Sequence, residues 1–525
     1  MRIGGATSTG MASERHRRHA TWGNPLASAR LFSIGHIGSG GNVAGCHGLA
    51  VALRMRMGIW ISLYALLLAA CADWTVPKLS PTAQQPYPGA EGIGDRYFPS
   101  LGNGGYDVRH YTLDLSVHIE DHTVDGRATL EAVATQPLSR LNLDFAGAAI
   151  HSVSFNGSSI HSEAAGGEVR IAPEEALDSG QAFTVIVDYS GAPGALDTEG
   201  IPPYALGWQF FEAGSYVASE PDGASRWFPA NDHPLDKGLF TFRIKVEKPF
   251  TVAANGHLVE EIDEGDERTF VWETRDPLAP YLAQVAIGDF ELQTETSASG
   301  TVIRNYIPAD YPQDRLAQYA RTKDMLEYFG TLFGPYPFEA YGVVVVDTPL
   351  PFALETQTLT LFGANESRGE GVVAHELAHQ WFGNSVSLKR WEDIWLNEGF
   401  ATYAMMLWLE HNEGLEAAES ELRGMYRILT SADGGRTLIL GDPGPDNLFD
   451  RVVYLRGALS LHALRLEVGS DDFFAVLRAY AERFRYGNAS TEDFIGIAQE
   501  ISGRDLRDFF QDWVYRAELP SLAGW

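Results

Sequence analysis

His375-Glu376-Leu377-Ala378-His379, answered by Glu398 in Asn397-Glu398-Gly399, is the stretch from which the rest of the chain can be read. Two histidines four apart fall on one helix face, because four steps of a 3.6-residue turn bring the side chains nearly into line. Neutral imidazoles at that spacing can bind one Zn²⁺ through two nitrogens and leave room for a third ligand and a water. Glu376 can reach that water as a general base. Eighteen residues separate His379 from Glu398, enough for a turn and the start of a second helix that returns a carboxylate to the metal. A helix can also carry two histidines simply for packing. Here Val372, Val373 and Leu377 form an apolar stripe that turns this face into the protein. Buried histidines and carboxylates are costly together unless they pair or bind metal. The set therefore reads as a zinc hydrolase site, with one Zn²⁺ per chain held by His375, His379 and Glu398.

Outward from this site, composition narrows the class of protein. With 525 residues and 45% hydrophobic content, the chain can bury more than one core, and two domains are expected. The charge balance is acidic, 39 Lys+Arg against 69 Asp+Glu, and the basic stripe that a nucleic-acid binder needs is missing beyond the N-terminus. No nucleic-acid partner is expected. Acidity fits a soluble surface and does not choose a substrate.

Residues 1–54 carry Arg15-His16-Arg17-Arg18-His19, many Gly and Ser, and little periodic hydrophobicity. Arg54-Met55-Arg56-Met57 then leads into an apolar run from Ile59 to Leu68, ending in Leu68-Ala69-Ala70-Cys71. A basic start, a short apolar core and small residues at the end make a secretory signal, too short for a comfortable membrane span. The ending resembles the bacterial lipobox, in which the cysteine is lipidated and becomes the mature N-terminus. Residues 55–71 are thus expected to be a lipoprotein signal peptide. Translation is expected to start at Met55 or Met57, with residues 1–54 an over-extended start. Cys71 would anchor the protein in the cell envelope, on the periplasmic or outer-membrane side. Residues 72–104, rich in Pro and Gly, read as a flexible tether.

From Tyr106 the period is two. Tyr111, Leu113, Leu115, Val117 and Ile119 alternate with polar residues, as do Phe183 to Tyr189 and Phe242 to Val246. Asp125-Gly126, Asn156-Gly157, Gly166-Gly167 and Asn255-Gly256 read as turns between strands. This predicts an antiparallel all-β domain over 105–295. Residues 312–329 then read helical, Val343–Val346 as a buried strand, and 354–361 as an exposed edge strand. From Gly371 onward the pattern is mainly helical, with helices expected over 373–382, 394–410, 453–467, 473–484 and 491–501. The expected class is α+β, with the metal residues in the helical half of a second domain, 296–525.

His375-Glu-Leu-Ala-His-Gln-Trp-Phe-Gly-Asn384 followed by Trp391-Glu-Asp-Ile-Trp-Leu-Asn-Glu-Gly-Phe-Ala401 closely resembles the aminopeptidase N and leukotriene-hydrolase family of gluzincin metallopeptidases. The likeness extends to Arg226-Trp-Phe-Pro-Ala-Asn-Asp232, Phe333-Gly-Pro-Tyr-Pro-Phe338, Tyr454-Leu-Arg-Gly-Ala458 and Tyr486-Gly-Asn-Ala-Ser-Thr-Glu-Asp-Phe494. The resemblance implies an N-terminal β-saddle packed on a thermolysin-like catalytic domain. It implies that Tyr454 stabilises the oxyanion, since charge develops there and a fixed donor lowers its energy. It further implies that Glu355 and Glu220 bind the substrate's free α-ammonium, making peptides with a free N-terminus the substrates. Phe352, Leu354 and Thr356 stand where the family usually has Gly, Met and Asn, so the wall beside Glu355 is expected to differ. The chain ends where many relatives continue into a helical C-terminal domain, and a more open cleft is expected. Two other readings share the metal set: a zinc endopeptidase, and a catalytically inactive lipid-anchored binding protein on the same fold.

Overall fold

Tyr106–His118 and Thr123–Ala134 form the long hairpin that the period of two predicts, with buried and half-buried positions alternating along them. The computed structural model describes residues 85–193, 206–364, 369–431 and 438–522, all in the unit Thr82–Trp525. Cys71 and the expected signal peptide lie outside the described residues. The hairpin sits inside an eight-stranded sheet with the order 257–263, 267–273, 239–247, 106–118, 123–134, 182–191, 149–155 and 158–159. Leu239–Glu247 runs parallel to Tyr106–His118, so a sheet expected to be wholly antiparallel contains one crossover. Two four-stranded sheets complete the all-β part.

Asn156-Gly157 and Gly166-Gly167 hold the positive φ that tight turns need. Asp125-Gly126 does not turn at all. It lies inside Thr123–Ala134, and the reversal is made earlier, with His122 at φ 55°. Glycine stands at 126 because the Tyr189 ring covers it, and a Cβ there would meet Tyr189 Cζ at 2.3 Å.

Residues 85–104 are not a tether. Tyr87–Pro88 pairs with the strand Leu138–Asp144. The buried Asp95 carboxylate accepts hydrogen bonds from the amides of Tyr97 (2.7 Å), Phe98 (3.1 Å) and Trp391 (2.8 Å), and His233 Nε2 lies 3.3 Å away. Arg96 pairs with Glu392 at 2.7 Å and Asp442 at 2.6 Å. The glycines here set fixed turns, with Gly92, Gly94, Gly102 and Gly105 at positive φ, rather than loosening the chain. Burial opposes ionisation of Asp95, but hydrogen bonds from His233 and the Trp391, Phe98 and Tyr97 amides outweigh it and hold the carboxyl at about 2. Its folded pKa thus lies below the unfolded value of about 3.9. The resulting stability, up to about 2.5 kcal/mol, is present above about pH 4 and is lost as pH falls through about 2. Asp95→Asn should lower the melting temperature at pH 7 and weaken its fall between about pH 4 and pH 2. An unchanged melting profile would show that the strap carries no load.

The second part begins earlier than expected. Phe290–Thr296 pairs along its length with Val302–Pro308, in a five-stranded sheet with Ala340–Tyr341, Val343–Val346 and Thr360–Gly363. The boundary therefore precedes Phe290 rather than following residue 295. The helix expected over 312–329 is broken: a turn of helix, Gln313–Leu316, runs into a 3₁₀ segment, and α1 (Thr322–Phe333) starts afresh. The Thr322 hydroxyl donates to the Tyr319 carbonyl at 2.8 Å, closing the first piece locally. Residues 354–361 are buried, not an exposed edge. Leu354 bridges Leu361 across a tight loop with Thr358 at φ 66°, and only Thr360–Gly363 joins the sheet. The remaining helices are α2 (Glu370–Ala378), α3 (Trp395–Glu413), α4 (Leu415–Thr430), α5 (Arg451–Val468), α6 (Ser470–Arg483), α7 (Thr491–Ser502) and α8 (Arg507–Trp513). Among the described residues, no helix is long and apolar enough to cross a membrane.

Candidate active site

Val373 and Leu377 are fully buried, so α2 is oriented by its apolar stripe and presents His375 and His379 to a cavity. The chain reverses after His379, and α3 returns Glu398 from its first turn. The three donor atoms form a nearly equilateral triangle. His375 Nε2 and His379 Nε2 are 3.1 Å apart, and Glu398 Oε2 lies 3.3 Å from the first and 3.6 Å from the second. Ligands about 2.0–2.1 Å from a tetrahedral Zn²⁺ are separated by about 3.4 Å. His379 Nδ1 lies 3.1 Å from the Phe382 carbonyl, and donation there leaves the Nε2 lone pair for a metal. Thr402 Oγ1 is 3.5 Å from His375 Nδ1, one helical turn beyond Glu398 on α3. The residues present fit a zinc ion.

The same pocket is electrically unusual. Glu220, Glu355, Glu376 and Glu398 are all buried, and carboxylate oxygens of Glu220, Glu355 and Glu398 lie within 4.8 Å of one another. Burial, then repulsion from Glu355 and Glu398, pushes the Glu220 pKa well above the ordinary value. Burial also raises that of Glu355. Burial opposes the Glu398 charge, but His379 and hydrogen bonds from both histidines hold its carboxyl at about 2. Burial pushes His375 down, whereas at His379 burial is outweighed by Glu355 and Glu398, which raise it. One oxygen each of Glu220 and Glu355 has no hydrogen-bond partner. Such groups are costly unless a cation completes them.

The cavity of 480 Å³ gathers every metal, catalytic and substrate-binding candidate from the sequence: His375, Glu376, His379, Glu398, Glu355, Glu220 and Tyr454. Tyr454, in the first turn of α5, lies nearly parallel to the His375 ring at a centroid distance of 6.0 Å. Phe352 lines the cavity, as do Val372, Met405, Met425 and Phe449. Thr356 bonds the Leu359 carbonyl and so closes the loop that follows Glu355.

Several supporting residues escape a reading by motif. Gln380 Nε2 (3.0 Å) and Asn384 Nδ2 (2.6 Å) both donate to the Glu355 carbonyl, and Gln380 Oε1 accepts from the Thr358 amide at 2.9 Å. The turn after the histidines thus holds the loop segment that carries Glu355. Lys237, from the all-β part, donates to the carbonyls of Asn384 (2.9 Å), Ser385 (3.0 Å) and Gly487 (3.0 Å). Burial pushes its pKa down to about 7. Nothing in the sequence marks a lone lysine for this role. The polar Gln380 and Asn384 directly after an apolar helix were the available signal.

An all-β part leading into a mainly helical part, with His375, His379, Glu398 and Glu376 at one cavity, defines a zinc-metallopeptidase architecture. The sequence matches the Peptidase M1 N-terminal domain over residues 108–282 and the Peptidase family M1 domain over residues 318–513. This chain belongs to peptidase family M1. An M1 zinc metallopeptidase from Deinococcus radiodurans, solved as a point mutant bound to Tyr-Ser-Ala substrate, is 34% identical with a TM-score of 0.77. That likeness covers 82% of this chain and 99% of the other. Aminopeptidase M1-A of Oryza sativa subsp. japonica is 29% identical over 57% of this chain. Leucyl aminopeptidase of Saccharolobus solfataricus is 27% identical over 59%. The chain spans only 37% and 43% of the length of those two relatives.

Proposed function

We propose that this protein is a zinc-dependent aminopeptidase, with one Zn²⁺ per chain, that removes the N-terminal residue from peptides. The observation that carries this is the pair of buried carboxylates, Glu220 and Glu355, each with an oxygen that accepts no hydrogen bond beside the metal set, Glu355 Oε1 lying 3.7 Å from His379 Nδ1. A substrate α-ammonium supplies the missing donors and charge, and a mid-chain amide cannot. An endopeptidase would leave that pair unexplained. A catalytically inactive scaffold would have no need for the complete ligand set and Glu376.

His375, His379 and Glu398 would hold the zinc, which would supply Lewis acidity in the cavity. Glu220 and Glu355 accept hydrogen bonds from the substrate ammonium and so register the first peptide bond in the cavity. Glu376 takes a proton from the attacking water and passes it to the leaving amine. Tyr454 donates its hydroxyl to the carbonyl oxygen as charge develops there. The Leu68-Ala69-Ala70-Cys71 ending supports a lipid-anchored placement in the cell envelope, where such an enzyme would trim exported peptides.

Aminoacyl-fluorophore substrates should be cleaved, cleavage should stop with a zinc chelator, and an N-acetylated twin should be refractory. Equal cleavage of the acetylated twin would favour the endopeptidase, and no zinc-dependent cleavage of either would favour the inactive scaffold. The same assay on cell fractions tests placement, since activity confined to the soluble fraction would rule out the anchor.

A further inference from the structure

Helices α3 and α5 touch backbone to backbone at one point. A Cβ built on Gly457 would lie 2.5 Å from Gly399 Cα, and one on Gly399 would lie 2.7 Å from Gly457 Cα. Carbon atoms rest about 3.5–4.0 Å apart, so any side chain at either position would force the helices about 1 Å further apart. Gly399 directly follows Glu398, and Gly457 lies one turn after Tyr454. This contact thus adjoins Glu398 along α3 and follows Tyr454 by one turn along α5.

An adjacent side of α5 is fastened as well. The buried Arg456 guanidinium donates to the carbonyls of Trp513 (2.9 Å), Ala517 (2.8 Å), Arg516 (2.6 Å), Asp512 (3.1 Å), Glu518 (3.1 Å) and Leu438 (3.3 Å). Two of the six, those of Asp512 and Trp513, end α8 and carry partial negative charge, and the Glu518 carboxylate adds further attraction. Tyr454 and Leu455, by contrast, are only half-buried against the cavity, whereas residues 395–404 of α3 are fully buried. If the helices separate, the first turn of α5 is the part that yields.

We propose that Gly399, Gly457 and Arg456 are positioning residues that set the distance of the Tyr454 hydroxyl from the reacting carbonyl. The proposal rests on the oxyanion role given to Tyr454 above. Gly457→Ala should lower kcat by roughly 10²-fold, the scale of an error of about 1 Å in placement, with KM changed less than about threefold. Zinc content should stay that of the parent protein, because α3 keeps its place. Placed in a Tyr454→Phe background, the same change should cost less than about threefold, since the group it positions is already gone.

A kcat loss of equal size in both backgrounds, or parent-like kcat in Gly457→Ala, would overturn the proposal. If Gly457→Ala does not fold, Arg456→Lys decides by the same cycle. Lysine keeps the charge but cannot serve six carbonyls, so kcat should fall with Tyr454 and not with Phe at 454; equal losses would again overturn it. Parent-like turnover in Tyr454→Phe alone would instead remove the oxyanion role itself, and the positioning role with it.

Discussion

Glu376→Gln is expected to fold, to bind zinc as the parent does, and to lose turnover by about 10²- to 10⁴-fold, the usual share of a positioned acid–base group. Glu376 is buried, lines the cavity and lies on α2 between the two histidines, so the amide occupies the same space without touching the ligand triangle. The base is the only function that the exchange removes, because glutamine can still accept a hydrogen bond but cannot take up a proton. It also removes one of four carboxylates buried in one cavity, so the melting temperature should hold or rise. Zinc analysis, kcat and a melting curve on one preparation test all three expectations. Turnover close to that of the parent would take Glu376 out of the reaction.

Glu355→Gln should separate exopeptidase from endopeptidase chemistry most sharply. Its carboxylate shares the cavity with Glu220 and has one oxygen without a hydrogen-bond partner. Losing one partner of a buried, charged hydrogen bond costs about 2–5 kcal/mol. For free-amine substrates kcat/KM should therefore fall by at least about 30-fold, since each 1.36 kcal/mol is a factor of ten. Both KM and kcat should move, because the clamp also places the carbonyl. The preference for a free over an N-acetylated peptide should shrink with it. The variant should also melt higher, because burial outweighs the attraction of His379 and, with repulsion from Glu398, opposes the charge in the resting enzyme. A Glu355→Gln protein with unaltered discrimination between the two peptides would place the ammonium elsewhere.

The ligands and the base were legible because a helix repeats locally. His375, Glu376 and His379 need only the 3.6-residue period, and Glu398 needs only a reversal of ordinary length. The period of two likewise marked the long strands around Tyr106–His118 and Ala182–Gly191, whose alternation of burial is set by one buried face. Where a residue serves a distant partner, the local pattern misled. Gly126 looks like a turn and is a clearance for Tyr189. The Gly- and Pro-rich stretch around Asp95 looks like a tether and is a strap pinned by the buried Asp95 carboxylate to Trp391.

What the sequence determined by itself was the spacing of the proposed metal set and its base, and the order of an all-β part before a helical one, because these depend on spacing along the chain. Only the tertiary structure decided that Glu220 and Glu355 converge, each with an oxygen that accepts no hydrogen bond, and that Gln380 and Asn384 hold the segment carrying Glu355. It alone placed Lys237 under the turn after His379, and Gly457 against Gly399. Each of these is a meeting of segments far apart in the chain, settled by packing and by the need to satisfy buried polar groups, and no period in the sequence records it.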